Sequence, residues 1–433
     1  MDYTFKILRA LSGYQFFLCL LIQGFFLHPF YEKSLSAKLI RLGFMPITIW
    51  LALSSNGIRQ FEPIEDFFHM NFPLISFATF HAICLSIEFG LSNASVLDST
   101  KTVLNDKTED QNDDGCEVKS PDGSMDDQLN GGKESLCKRN ASSKIPSMGE
   151  RIKFLIWLIF SPRGLQTSWS PPTSMVPRSN QISMKEFVKR TLKKSILNQF
   201  LFLIIWMISI SFAQHPFGVY GVLQEWFHLP NSLILKTLAP YLVVGPFASS
   251  AMLLIELLGC MFNLIEVSVY YLGPKFLPSD LAPGKWDSTL YPPLFNQPWK
   301  SSSLIEFWSK PDYLLSYHRS YSGWHTIFRR HIVFCGADPS AWMFKPFGKE
   351  ASRLASTLGA MLFSGLFHEF VVVAASKIDP TFSTTWVFLG SGIGMILEII
   401  FKKLTGRQVG GIFGKIWLWC LLSFLGTPAM ENW

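Results

Sequence analysis

Ser364-Gly365-Leu366-Phe367-His368-Glu369-Phe370 lies inside an apolar run from about Leu354 to Ala375. The run is long enough for a membrane helix, which needs about 20 mostly apolar residues. It places an imidazole and a carboxylate side by side in that run. A charge at the centre of such a helix costs roughly 2.5–3.5 kcal/mol on insertion scales, so an ionisable residue there points to function.

The rest of the chain fits a lipid setting. Of its 433 residues 48% are hydrophobic and only 16% charged. Apolar runs recur at about 11–30, 42–57, 71–91, 196–213, 232–272, 354–375, 384–401 and 412–428. The expectation is an all-α integral membrane protein with about eight transmembrane helices, a long ordered loop and an intramembrane His. Lys6 and Arg9 precede the first run, but no small-residue cleavage site follows, so that run reads as a retained helix. The net charge of +6 is assigned to cytosolic loops and anionic lipid rather than to nucleic acid. Cysteines at 19, 84, 116, 137, 260, 335 and 420 form no close pair, which indicates neither a zinc site nor a disulfide framework.

Three regions follow from composition: N-terminal membrane helices over 1–91, a disordered acidic linker over 92–150, and a core over 151–433. Lys33, Lys38 and Arg41 in the first loop, and Lys402, Lys403 and Arg407 before the last run, place those loops in the cytosol. The same orientation puts the linker and its sequons at Asn93 and Asn140 on the cytosolic side. The apolar piece after Arg151 is too short to span and is expected at the membrane interface. Pro240 and Gly245-Pro246 interrupt the run at 232–272, leaving open one span with a re-entrant approach or two helices. Glu256, Asn263 and Glu266 share a helical face and read as a polar seam. The loop from Gly273 to Glu350, rich in Trp, Tyr, Pro and Arg, is expected to be ordered.

Several chemistries drop out. A zinc-protease H-E-x-x-H needs a second imidazole four residues on, where Val372 stands. Closely spaced histidine boxes of membrane desaturases are absent, and the paired aspartates of membrane prenyltransferases occur only in the linker. A neutral imidazole in a pocket that excludes water fits transfer to an alcohol, with His368 taking the hydroxyl proton and Ser364, one turn earlier, orienting the ring. A structural histidine satisfied by a neighbouring helix fits the same residue equally well.

LYPPLFNQPWKSSSLIEFW at 290–308, GWHTIFRR at 323–330 and SGLFHEF at 364–370 occur in that order. Together they resemble the wax synthase-like branch of the membrane-bound O-acyltransferase superfamily, of the kind common in fungi. SPRGLQTSW at 161–169 resembles a further feature of that family, so the likeness covers about 155–375. The resemblance implies transfer of an acyl group from acyl-CoA to a long-chain alcohol, giving a wax ester, or to a terpenoid or other secondary-metabolite alcohol. It implies a multi-pass protein of the endoplasmic reticulum, with no metal and no bound cofactor, acyl-CoA being a co-substrate. His368 matches the catalytic base and His325 a second polar position at the acyl group. Trp299, Phe307, Trp308 and Trp324 match an aromatic frame. Arg329 and Arg330 are candidates for the phosphates of acyl-CoA, and Glu369 for orienting the active-site helix. In the family the F-W element is followed closely by W-H, whereas here Pro311–Ser322 intervenes, either a surface excursion or translated intron. Transcript reads carrying the segment in frame exclude the second. A rival reading makes His368, Glu369, Glu256 and Glu398 the lining of a solute or proton path, and another makes the chain a degenerate structural relative.

Overall fold

The computed structural model describes residues 15–31, 33–60, 72–92, 146–160, 180–279, 281–295, 297–308, 328–376 and 381–431. These form an all-α membrane protein. Among the described residues six helices, beginning at Leu35, Met184, Leu233, Lys349, Ser383 and Gly411, are long and apolar enough to cross a bilayer, and two shorter apolar helices cover Gln15–Phe25 and Ser76–Leu91. These eight segments fall on the eight apolar runs.

The N-terminal group consists of α1 (Gln15–Phe25), α2 (Leu35–Gln60), α3 (Phe72–Leu91) and α4 (Met148–Phe160). Phe16 and Leu20 of α1, Leu85 and Phe89 of α3, and Leu155 and Leu158 of α4 share one core. Thus α4, expected at the membrane interface, presents one face to protein. It starts where Ser147 and Glu150 cap each other: the Ser147 N–H donates to Glu150 Oε2 at 2.7 Å, and the Glu150 N–H donates to Ser147 Oγ at 3.1 Å. The helix therefore begins inside the tract assigned to the linker, of which 93–145 lies outside the described residues.

The run at 232–272 resolves into a short α7 (Leu233–Leu238), a 3₁₀ turn at Ala239–Val243 and a long α8 (Val244–Phe276), with α5 (Met184–Gln214) and α6 (Gly218–Phe227) before them. Pro240 falls in the first residues of the 3₁₀ turn and Pro246 in the first turn of α8, where a missing N–H costs no helical hydrogen bond. Both prolines thereby mark a break and a restart. Helices α5 and α8 pack along each other.

The C-terminal part contains α9 (Leu304–Trp308), α10 (Arg329–Ile332), a π-helical turn at Val333–Ala337, α11 (Asp338–Phe344), α12 (Lys349–Ser376), α13 (Ser383–Thr405) and α14 (Gly411–Glu431). Helix α12 is the pivot: it contacts α3, α10, α11 and α13, while α14 joins α13 to α8. A second core, with Leu304, Phe307, Met361, Phe388, Met395 and Leu418, ties α9, α12, α13 and α14 together. The SGLFHEF stretch lies on α12, between the two groups.

Candidate active site

His368 takes its orientation from its own helix. Its Nδ1 lies 2.7 Å from the carbonyl oxygen of Ser364, one turn back. A carbonyl only accepts, so Nδ1 carries the proton and Nε2 holds a lone pair. The bond expected from Ser364 is therefore made by its main chain. Among the described residues Nε2 has no hydrogen-bond partner. Phe388 of α13 stacks on the imidazole at 4.4 Å between centroids, and Phe367 meets it edge-on at 5.1 Å. The ring is half-buried between aromatic faces, with the basic nitrogen uncommitted.

Glu369 also meets α13. Its buried carboxylate accepts the Thr385 N–H at 2.9 Å and the Thr385 hydroxyl at 3.2 Å. Thr385 is in the first turn of α13, where unpaired N–H groups and the helix dipole favour a negative charge. Gly365 allows this docking: a Cβ there would stand 2.9 Å from the Thr385 backbone. The bond holds α12 to the helix that supplies Phe388.

The polar loop reaches the site through aromatic contacts. Trp308 packs on Phe388 at 5.2 Å, one ring away from His368. Its helix, α9, is capped by Glu398 of α13, which accepts the N–H groups of Leu304 at 2.8 Å and Ile305 at 3.1 Å and the Trp417 indole N–H at 3.0 Å. Tyr291 hydrogen-bonds to Glu266 of α8, and burial followed by that carboxylate pushes its pKa above the usual phenol range. Glu256 pairs with Lys194 of α5. Glu369, Glu398 and Glu256 thus each serve a helix junction, rather than lining one path with His368.

The two arginines differ. Arg330, a candidate for acyl-CoA phosphate, is instead 3% exposed, with its Nε 2.7 Å from both carboxylate oxygens of Glu88. Buried and occupied in this way, the guanidinium does not face a soluble phosphate. Arg329 is half-buried, and burial lowers its pKa against the opposing influence of Asp338. Trp324, His325 and the segment 311–322 lie outside the described residues, as does SPRGLQTSW.

The sequence reading passed over Glu88, His81, His331 and Phe388. A signal existed for the first two: they are ionisable residues in the run at 71–91, the same feature that singled out His368. His331 and Phe388 carried none, since their importance comes from contacts distant in sequence.

Chemically, the arrangement offers an imidazole whose Nε2 has no partner among the described residues, in a mainly aromatic surrounding. Comparison with known proteins agrees in the region that matters. Residues 291–390, from Tyr291 through the site to α13, match the membrane bound O-acyl transferase family. The chain is 28% identical over 116 residues to acyl-CoA–sterol O-acyltransferase 1 of Arabidopsis thaliana, covering 27% of this chain and 30% of that protein. It is 29% identical over 143 residues to the probable long-chain-alcohol O-fatty-acyltransferase 2 of the same plant, covering 32% and 38%. The matches therefore span about a third of the length of these curated relatives.

Proposed function

We propose that this chain, whose residues 291–390 match the membrane bound O-acyl transferase family and resemble its wax synthase-like branch, moves an acyl group from acyl-CoA to a lipophilic alcohol, with His368 as general base. The observation that carries this reading is the bond from His368 Nδ1 to the Ser364 carbonyl, which leaves Nε2 as the acceptor.

In the proposed step, Nε2 takes the hydroxyl proton as the alcohol oxygen bonds to the thioester carbonyl carbon. The tetrahedral intermediate then collapses, the C–S bond breaks, and the thiolate of CoA takes the proton from the imidazolium. Ester and free CoA are released, and the imidazole returns to its neutral state. General-base assistance of this kind contributes roughly 10²–10⁴-fold. Aromatic walls keep water from competing for the acyl group. His325 is assigned to the acyl carbonyl by its place in the W-H motif, and no metal or bound cofactor enters the scheme. Relatives named for sterol and for long-chain alcohol acceptors both support a bulky apolar alcohol. The apolar helices support a bilayer setting, assigned here to the endoplasmic reticulum.

The test is a microsomal assay with labelled acetyl-CoA and palmitoyl-CoA against panels of fatty alcohols, sterols and terpenoid alcohols. Formation of a labelled ester that depends on the expressed chain is expected. No ester with any donor and acceptor pair contradicts the proposal.

A further inference from the structure

The short helix α10, which begins with the two arginines of the W-H-x-x-x-R-R element, is bound to α3 and α4 through buried polar groups. Glu88 is 2% exposed and Arg330 3%. Besides gripping Glu88, Arg330 points Nη1 at the Leu158 carbonyl, 3.4 Å away. Next to it, His331 Nε2 lies 2.7 Å from His81 Nδ1, and His81 Nε2 lies 3.2 Å from the Ile159 carbonyl. The carbonyl fixes the direction of the chain. It accepts from His81 Nε2, so a neutral His81 presents Nδ1 as the acceptor for His331 Nε2. Leu158 and Ile159 belong to the last turn of α4, whose carbonyls have no partner within their own helix. Side chains of α3 and α10 thus bond in two pairs, Glu88 with Arg330 and His81 with His331, and both pairs reach the end of a third helix.

This junction borders the candidate active site. Phe328, immediately before Arg329, stacks on Phe77 of α3 at 5.8 Å and packs on Phe367 at 4.7 Å. Phe367 is the neighbour of His368 and contacts its ring. Ion pairs this deeply buried often add little stability over apolar residues of equal volume, but they fix one geometry wherever both partners must be met.

We propose that Glu88, His81, Arg330 and His331 form a positioning clamp that holds the segment after the W-H motif against α3, and through Phe328 and Phe367 sets the pose of His368. The role is distinct from phosphate binding, and it rests on the acyl-transfer reading for its link to rate. An independent reporter sits at the same junction, because Cys84 of α3 is in hydrogen-bond contact with Cys335 in the π-helical turn.

The experiment uses the full chain in microsomes, as wild type, Arg330→Lys, Glu88→Gln and the doubly neutral Glu88→Gln/Arg330→Met. It measures kcat, KM for acyl-CoA, and the rate of oxidant-induced cross-linking of Cys84 to Cys335 by mass spectrometry. Each variant is expected to lose roughly tenfold or more in kcat, the scale of a small misplacement. KM for acyl-CoA is expected to stay within about twofold. Cross-linking slows in every variant. The double variant accumulates like wild type and yet does not recover kcat, which separates geometry from mere folding. Unchanged cross-linking, wild-type kcat in the variants, or a raised KM with unchanged kcat in Arg330→Lys overturns the proposal. A wild type that esterifies nothing defeats the acyl-transfer reading instead, and the cross-linking rates alone then decide whether the clamp exists.

Discussion

At the scale of single residues, the account turns on which atom of a side chain is free. Ser364 contributes its carbonyl to His368, so removing its hydroxyl leaves that bond intact. Ser364→Ala is expected to change kcat by less than about threefold, because a modest packing change is all that remains. Phe388→Leu removes the ring stacked on the imidazole, and a fall in kcat of roughly tenfold is expected from looser positioning of the base. Steady-state kinetics on microsomes checks both. His368 and Glu369 were visible in the sequence because ionisable groups are conspicuous in an apolar run. Their different roles were suggested there by resemblance alone, whereas the partners behind them, Thr385 and Phe388, come from the next helix and carried no signal.

At the scale of elements, the site is a matter of how closely helices approach. A Cβ on Gly365 would stand 2.9 Å from the backbone of Thr385, and a helix backbone cannot yield as a flexible side chain does. Gly365→Ala should cost about 1–3 kcal/mol through overpacking and shift α13, with Phe388, away from His368. Thermal unfolding of the detergent-solubilised protein and the ester-forming rate should therefore fall together. Glu398 accepts the N–H groups of Leu304 and Ile305 at the start of α9. Glu398→Ala takes the carboxylate from the buried Leu304 N–H and should destabilise by about 1–3 kcal/mol. Helix positions were readable from hydropathy, since in lipid every backbone polar group must be satisfied within the helix itself. The outcome at Pro240 and Pro246 was not. A proline says where a helix bond is missing, but neighbours decide whether the chain turns or continues.

At the scale of the whole molecule, α12 carries His368 and packs against α3 on one side and α13 on the other, linking two helix groups with separate cores. The long loop belongs to this arrangement: its Trp308 and Tyr291 are tied to α13 and α8 rather than left at the surface. The sequence announced this only as aromatic and proline-rich composition. It offered no means of pairing Glu88 with Arg330, which are 242 residues apart, and so Arg330 was assigned to a ligand. Burial is the deciding difference, because breaking a buried pair costs about 3–5 kcal/mol, whereas a surface arginine is free to meet a phosphate.

The central claim is that His368 Nε2 accepts the proton of the attacking alcohol. Its most direct test compares wild type with His368→Ala at equal membrane abundance, using labelled acyl-CoA and the best acceptor from the alcohol panel. The account predicts that the variant loses at least about 10²-fold in ester formation. It also predicts that acyl-CoA still binds. Equal esterification by the two proteins would contradict it.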